Sequence, residues 1–289
     1  MGRFLFWFFF ILTLEAHPAG DYTFCGGRAA GMGFTSVSIA DPWSAFNNQA
    51  GLGWINKITA ELYFENRFLV KELSMKAIGV EIPVKSGAFG LTFEEFGFLL
   101  YNEMKAGLAF GKKFGKTFAV GVQLDYLRIH LGEDLGTKHL FTFEIGLQYH
   151  INHYLCLGVH FYNPLSVKLA SYDNERIPSV INLGFSWKFS DGFITTFEVE
   201  KDIQLKPIFK AGLEYHFVKP VYVRIGLLTN PTMFTFGFGL EFGQVQFDFS
   251  SSYHLVLGYS PQASVVYTFL NRRGSPSPGP SPHGEGKEQ

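Results

Sequence analysis

The chain has 289 residues, of which 17% are aromatic and only 17% charged, and it contains 32 glycines. A chain this apolar is not disordered, and a net charge of -1 excludes the strongly basic surface of a nucleic-acid-binding domain. Two cysteines, Cys25 and Cys156, are too few for a disulfide framework or a cysteine zinc site. These observations leave a large β-rich protein, either soluble or built as a membrane barrel.

Residues 1–20 begin with a basic residue, Arg3, which is followed by an apolar stretch from Phe4 to Leu14. This order of charge and apolar residues predicts a secretory signal peptide, and therefore export. The apolar stretch is too short to span a bilayer as a helix. A short buried helix or a membrane anchor remains the alternative for this segment.

Residues 21–55 are rich in small side chains and do not follow the pattern of a strand. Asp41 and Pro42 can open a short helix through Ala45 and Phe46. The glycine-rich stretch from Gly26 to Gly33 has no strand before it and no helix with an acidic partner after it. A phosphate-binding loop is therefore not predicted here.

Residues 56–270 repeat one pattern, in which about ten residues of strict alternation are followed by a turn. Between residues 138 and 150, for example, Thr142, Glu144 and Gln148 fall on one face, while Phe141 and Phe143 fall on the other. A period of two is typical of a strand with one wet and one apolar face. We count about fourteen such segments, near 57–68, 73–83, 86–95, 100–110, 116–129, 138–150, 154–162, 178–189, 193–201, 207–217, 220–228, 233–242, 244–252 and 262–269.

The connections between these segments alternate in length. Tight turns near 83–87, 151–153, 190–192, 218–220 and 243 alternate with the longer stretches 130–137, 163–177 and 253–261. Short turns at one end and longer loops at the other are typical of bacterial outer-membrane barrels. A soluble β-sandwich also alternates, but its strands are usually shorter, and it would expose far more apolar area here than a soluble monomer tolerates. We therefore predict an all-β fold, a transmembrane antiparallel β-barrel of about fourteen strands.

The polar face, assigned to the barrel lumen, carries more carboxylates than cations. It is either a hydrated lining or the contact surface of a plug or ligand. No nucleophile motif or acid/base pair appears, and His150 and His153 point along different strands, so no enzyme, cofactor or metal site is predicted. The lumen charges that we single out are Glu144, Glu198, Glu214, Glu241, Lys210 and Arg224.

The last predicted strand ends in aromatic residues, Tyr267 and Phe269. An alternating last strand with a terminal aromatic resembles the C-terminal signal read by barrel-assembly machinery. Residues 271–289 are rich in Ser, Pro and Gly and have almost nothing to bury, so we expect a disordered tail.

The segment before the barrel resembles the N-terminal signature of the FadL-type outer-membrane family, in particular its PorV/PorQ-like branch in Bacteroidetes-type bacteria. The matching stretches are Arg28-Ala-Ala-Gly31-Met-Gly33, Ala40-Asp41 and Asn48-Gln-Ala-Gly51-Leu52. This chain has Gln49 where proline is usual, so we expect a less rigid turn there. The resemblance implies an N-terminal hatch folded into the lumen, and the hatch residues would be Arg28, Gly31, Gly33, Asp41, Pro42, Asn48 and Gly51.

The resemblance also implies a function at the bacterial outer membrane, among its lipids. The first reading is passive passage of hydrophobic small molecules, gated by the hatch. The alternatives are a PorV/PorQ-like accessory protein that binds exported proteins for type IX secretion, and a purely structural barrel.

A barrel of this width leaves a lumen that its own inward side chains do not fill, so residues 26–54 are expected to occupy it. Arg28 is the sole charge between Gly26 and Ala40. Because an unpaired charge in a confined lumen is costly, we expect Arg28 to meet one or more of Glu144, Glu198, Glu214 and Glu241. The alternative is a loose N-terminal arm in the periplasm.

Overall fold

The structure, a computed structural model, describes residues 22–132, 136–169 and 176–270. The predicted signal peptide and the predicted C-terminal tail lie outside these residues. The fourteen strands are β1 (Thr59–Asn66), β2 (Ser74–Val84), β3 (Gly87–Phe98), β4 (Tyr101–Phe114), β5 (Phe118–Leu131), β6 (Thr137–His150), β7 (Leu155–Tyr162), β8 (Val180–Ser190), β9 (Phe193–Asp202), β10 (Ile208–Val218), β11 (Val221–Leu228), β12 (Met233–Phe242), β13 (Val245–His254) and β14 (Gly258–Thr268).

Each strand pairs antiparallel with its neighbours in sequence, and β1 closes the sheet by pairing with β14. The predicted closed barrel of fourteen antiparallel strands is therefore confirmed. Closure leaves no free sheet edge, so the backbone hydrogen bonds of the wall are satisfied within the sheet.

Alternate side chains of each strand point to opposite sides of the wall. On β12, Phe234, Phe236 and Phe238 are exposed, whereas Thr235 and Gly237 are buried inside. The same alternation of exposed apolar and buried polar side chains recurs around the barrel. An apolar outer surface with a polar interior is the arrangement that a lipid environment stabilises.

The two ends of the barrel differ. At one end the connections are short, such as 85–86, 115–117 and 219–220, and at the other end lie the longest ones, 67–73 and 163–179. We call these the short-turn end and the loop end. The short-turn end corresponds to the periplasmic side of outer-membrane barrels.

One predicted long loop is wrong. The stretch 253–261 is mostly strand, and only residues 255–257 connect β13 to β14. Tyr253 and Tyr259 are cross-strand partners whose ring centroids lie 4.7 Å apart. This aromatic pair, with His254 and Gly258 beside it, continues the ladder into the stretch that was predicted to be a loop.

No helix among the described residues is long and apolar enough to cross a membrane. The helices that do occur are short, and three of them precede the first strand: α1 (Gly27–Gly31), α2 (Ser44–Asn47) and a 3-10 helix (Gln49–Trp54). Two further 3-10 turns, Arg67–Leu69 and Lys71–Leu73, form the connection between β1 and β2.

Candidate functional site

Residues 22–55, here called the N-terminal segment, lie inside the barrel. Trp43 and Phe46 are buried in one apolar cluster with Tyr63, Met75 and Val266 of the wall. Nearby on β12, Gly33 donates its N–H to the Thr235 hydroxyl, 2.8 Å away, and that hydroxyl donates to the Gly31 carbonyl at 3.0 Å. Across the lumen from β14, the segment packs against β7, where a Cβ on Gly158 would lie 2.2 Å from the Val37 carbonyl oxygen. The segment therefore contacts opposite sides of the lumen rather than hanging below the barrel.

Close approach to the wall requires glycine at Gly33. Its φ is +69°, and a Cβ at this position would lie 2.7 Å from the Ala211 carbonyl oxygen. A side chain would strain the backbone and collide with β10. The small residues of the N-terminal segment thus allow backbone to pack directly against the inner wall.

Asp41 and Pro42 precede α2, and this helix includes Ala45 and Phe46, as the sequence predicted. The Asp41 carboxylate accepts from the Trp43 N–H at 3.0 Å, and the Ser44 hydroxyl donates to the Asp41 carbonyl at 2.6 Å. These bonds form a turn that starts the helix. Gly51 packs against the same helix, because a Cβ there would lie 2.3 Å from Ser44 Oγ.

A row of alternating charges joins the N-terminal segment to the wall. Arg28 donates to both carboxylate oxygens of Glu214, from Nε at 2.9 Å and from Nη2 at 2.6 Å, and its Nη1 lies 3.4 Å from Asp41. Arg224 donates to Glu214 and to Asp248, both at 2.6 Å. The bidentate geometry fixes the direction of Arg28 as well as its charge.

Both charged residues of the N-terminal segment in this row, Arg28 and Asp41, are largely shielded from solvent, with side chains 18% and 14% exposed. Burial by itself lowers the pKa of Arg28, but the carboxylates of Glu214 and Asp41 outweigh that effect and raise the pKa above its usual range. Arg28 is therefore a permanent cation. Burial raises the pKa of Asp41, and the charge of Arg28 opposes the increase.

A second carboxylate of the wall binds the backbone of the segment. Glu198 accepts from the N–H groups of Ser36 and Val37, both at 3.0 Å. Lys210 lies 3.3 Å from Glu198 and 2.6 Å from Glu200, so it offsets part of the negative charge of these two carboxylates. Backbone donors on a buried carboxylate are strong hydrogen bonds, and they attach the middle of the segment to β9.

Glu144 forms the third attachment. Its carboxylate accepts from Gln49 Nε2 at 2.7 Å, and it lies 2.8 Å from His160 Nε2 and 3.5 Å from Lys105 Nζ. Sequence reasoning missed His160, and it interpreted Gln49 only as a loosened turn. Gln49, which stands where proline is usual in the FadL-type signature, donates a side-chain hydrogen bond to Glu144 of the wall. Proline has no side-chain donor and could not make this bond.

Asn48 lies beside this attachment, where its amide accepts from the Ala50 N–H at 3.1 Å and donates to the Val37 carbonyl. Of the four carboxylates considered for Arg28, only Glu214 contacts it. Glu241 faces inward at the short-turn end, where it is exposed and accepts from the Tyr222 hydroxyl at 2.6 Å. That location places Glu241 at the mouth of the barrel rather than beside the N-terminal segment.

Three aromatic side chains of the segment form a cluster within the barrel, in which Tyr22 is buried and Phe24 and Phe34 are partly exposed. Tyr22 and Phe24 meet edge to face at 4.8 Å, and Phe24 lies 6.4 Å from Phe34. Lys210 Nζ lies 3.7 Å from the Phe24 ring centroid. Phe34 has a φ of +60°, which is strained for a bulky side chain. This cluster offers aromatic surface next to a charged wall.

At the other terminus, Tyr267 lies on the outer face of β14 and Phe269 directly follows the strand. Their rings pack edge to face at 4.8 Å, and both side chains are exposed. The Tyr267 hydroxyl donates to Gln244 at 2.7 Å. The pair forms part of the lipid-facing surface at the short-turn end.

No group of three or more His, Cys, Asp or Glu side chains within residues 22–132, 136–169 and 176–270 is arranged to hold a metal ion. The carboxylates of the site instead bind arginine, lysine, histidine, glutamine and backbone N–H groups. The arrangement can hold a segment in place inside the lumen.

No family model and no curated protein matches the sequence. Solved structures do match. A Pseudomonas aeruginosa FadL homologue has a TM-score of 0.66 at 12% identity, over 87% of this chain and 100% of that chain. The Pseudomonas putida toluene transporter TodX has a TM-score of 0.63 at 12% identity, over 87% of this chain and 98% of that chain.

The Ralstonia pickettii toluene transporter TbuX is similar to the same degree, with a TM-score of 0.62 at 13% identity over 85% of this chain and 98% of that chain. Two of these three proteins, TodX and TbuX, are toluene transporters. At such low identities the likeness concerns the fold. The chain therefore has the fold of the FadL-type outer-membrane transporters.

Proposed function

We propose that this protein is an outer-membrane channel for passive passage of hydrophobic small molecules, with the N-terminal segment as its hatch. The observation that carries the proposal is the position of that segment, which crosses the lumen and is attached to the wall through Glu214, Glu198 and Glu144. Segments that gate a pore are attached by bonds that can be exchanged without unfolding the barrel.

The fold supports the same proposal, since two of the similar structures are toluene transporters. Within the aromatic cluster, the partly exposed rings of Phe24 and Phe34 give an apolar molecule a surface to contact inside the lumen. The strain at Phe34 favours rearrangement of this part of the hatch, because a left-handed bulky residue costs about 1–3 kcal/mol. A ligand that relieves this strain would shift the hatch toward an open state.

We expect Arg28→Gln to loosen the hatch and to increase uptake of radiolabelled toluene by cells that carry the protein. The substitution removes a bidentate ion pair, but Glu214 keeps its bond to Arg224, so the loss is about 2 kcal/mol rather than that of a fully orphaned charge. Arg28→Lys keeps the charge but not the fork geometry of the guanidinium, so its toluene uptake should lie between that of the parent protein and that of Arg28→Gln. Lys112→Gln, on the outer face of β4, is the matched control.

Uptake equal to that of cells without the protein, in both the parent and Arg28→Gln, would rule out passage. Increased uptake in the parent without a further increase in Arg28→Gln would leave a channel but remove Arg28 from its hatch.

A second candidate is the PorV/PorQ-like role of binding exported proteins for type IX secretion. One observation favours it, the presence of aliphatic side chains at the tips of the loop end, where Leu99 is 88% and Val256 is 74% exposed. Exposed apolar side chains at a rim are suited to protein docking. Under this alternative, replacing Leu99 and Val256 with serine would abolish binding of an exported protein and leave toluene uptake at the level without the protein.

A further inference from the structure

The outer faces of strands β2–β6 change from apolar to polar in a single step toward the loop end. One row of cross-strand partners consists of Ile78, Phe93, Ala106, Tyr126 and Phe141. The next row toward the loop end consists of Lys76, Glu95, Met104, Arg128 and His139. Charged side chains are strongly disfavoured on a lipid-facing surface near the bilayer centre and are tolerated near the interface. The outer limit of the hydrocarbon region therefore lies between these two rows.

Arg128 is the cation of this row without an acidic partner. Its Nη1 contacts the Asn102 side-chain oxygen at 3.5 Å and the Met104 sulfur at 3.2 Å, and no carboxylate of residues 22–132, 136–169 or 176–270 pairs with it. The acid of the row, Glu95, is bound instead by Lys76 at 3.4 Å and by Asn102 at 3.4 Å. The row thus presents one guanidinium whose charge is not balanced by the described residues.

Two histidines flank Arg128. His139 is its cross-strand partner on β6, and its Nδ1 bonds the Tyr126 hydroxyl at 2.7 Å. His130 is the next outward residue of β5, and its Nδ1 bonds the Thr137 hydroxyl at 3.0 Å. Both rings use Nδ1 within the sheet, and neither Nε2 has a partner among the residues described. The rings are therefore oriented, each with one nitrogen left for an external group.

We propose that Arg128, with His130 and His139 beside it, binds the phosphate group of a lipid in the leaflet at the loop end. A planar guanidinium matches two phosphate oxygens, and imidazole N–H groups add further donors. The apolar row on the short-turn side of Arg128 can contact the acyl chains of the same lipid. Free phosphate has no acyl chains and cannot make these contacts. The inference rests on the outer-membrane location in the proposed function and adds a lipid partner on the outside of the barrel.

The test is native mass spectrometry of the detergent-purified full-length protein with added lipid A. We expect bis-phosphorylated lipid A to remain bound to the parent protein and dephosphorylated lipid A to bind it at least about fivefold more weakly. The Arg128→Ala protein should bind bis-phosphorylated lipid A at least about fivefold more weakly than the parent protein does. Lys112→Ala is the matched control, because Lys112 faces outward as Arg128 does. Lys112 lies on β4 near the short-turn end, over the Phe114 ring. It should bind lipid A like the parent protein.

Equal binding of the two lipid forms, or unchanged binding in Arg128→Ala, would overturn the proposal. Displacement of the lipid by millimolar inorganic phosphate would also overturn it, because the site would then be one for the free anion. Heat-modifiable migration on gels checks that each variant is folded. Toluene uptake by Arg128→Ala should equal that of the parent protein, so a failure of the lipid site is distinguishable from a failure of the channel.

Discussion

Deleting residues 26–50 is expected to convert a closed barrel into an open pore and to raise its single-channel conductance in planar bilayers roughly tenfold. The deletion removes α1, α2 and the residues that bind Glu198 and Glu214, so nothing else described in the lumen replaces them. The wall itself is a closed hydrogen-bonded sheet and does not depend on these residues for closure. Cells that carry the variant should become sensitive to bulky antibiotics.

The control for this deletion is the same chain without residues 271–289, which lie beyond the last strand and should not alter conductance. An unchanged conductance after deletion of residues 26–50, with the segment accessible to protease from the periplasmic side in the intact protein, would contradict a hatch.

Gly146→Val is expected to displace the hatch from the other side of the lumen. A Cβ on Gly146 would lie 2.0 Å from Asn48 Oδ1 and 2.9 Å from the Ala50 nitrogen, so the backbone around Asn48 has to move. Overpacking of this kind costs about 1–3 kcal/mol. Because the segment can leave the wall while the barrel cannot, we expect increased conductance and faster cleavage of the segment by protease.

Ala106→Val is the matched control, since it adds methyl groups on the outward face of β4, where they meet lipid. It should leave conductance and protease resistance unchanged. A Gly146→Val protein that is as closed and as resistant as the parent would mean that Asn48 does not lie against β6.

The barrel was predictable because its strands obey a simple physical rule. Each strand has one face toward lipid and one toward the polar interior. Apolar and polar residues therefore alternate along the sequence, as in Phe234, Thr235 and Phe236. The connection between β13 and β14 was not predictable by that rule. The predicted strand ends at residue 252, and Gly258 and Pro261 are residues typical of turns. The ladder nevertheless continues through the pairs Tyr253–Tyr259 and His254–Gly258.

The contacts of the candidate site depend on which strands face each other across the lumen, and periodicity does not carry that information. The sequence showed that Arg28 needs a carboxylate, but it could not choose Glu214 over Glu144, Glu198 or Glu241. Gln49 illustrates the same limit. Its difference from the family pattern was visible, whereas its bond to Glu144 follows only from the folded path of the segment.

The central claim, that the N-terminal segment lies inside the barrel, is tested most directly by a disulfide between Gly27→Cys and Ser264→Cys. The Gly27 N–H donates to Ser264 Oγ at 3.0 Å, and a Cβ on Gly27 would lie 3.0 Å from the same oxygen. Thiols at these two positions are within disulfide reach.

In a background with Cys25→Ala and Cys156→Ala, mild oxidation of the membrane-inserted protein should form this bond nearly completely, as measured by intact mass after alkylation. The pair Gly27→Cys with Val265→Cys, whose second side chain faces lipid, should remain reduced. Two free, alkylated thiols in the Gly27→Cys and Ser264→Cys protein would contradict the claim, since they would show that the segment does not reach the inner face of β14.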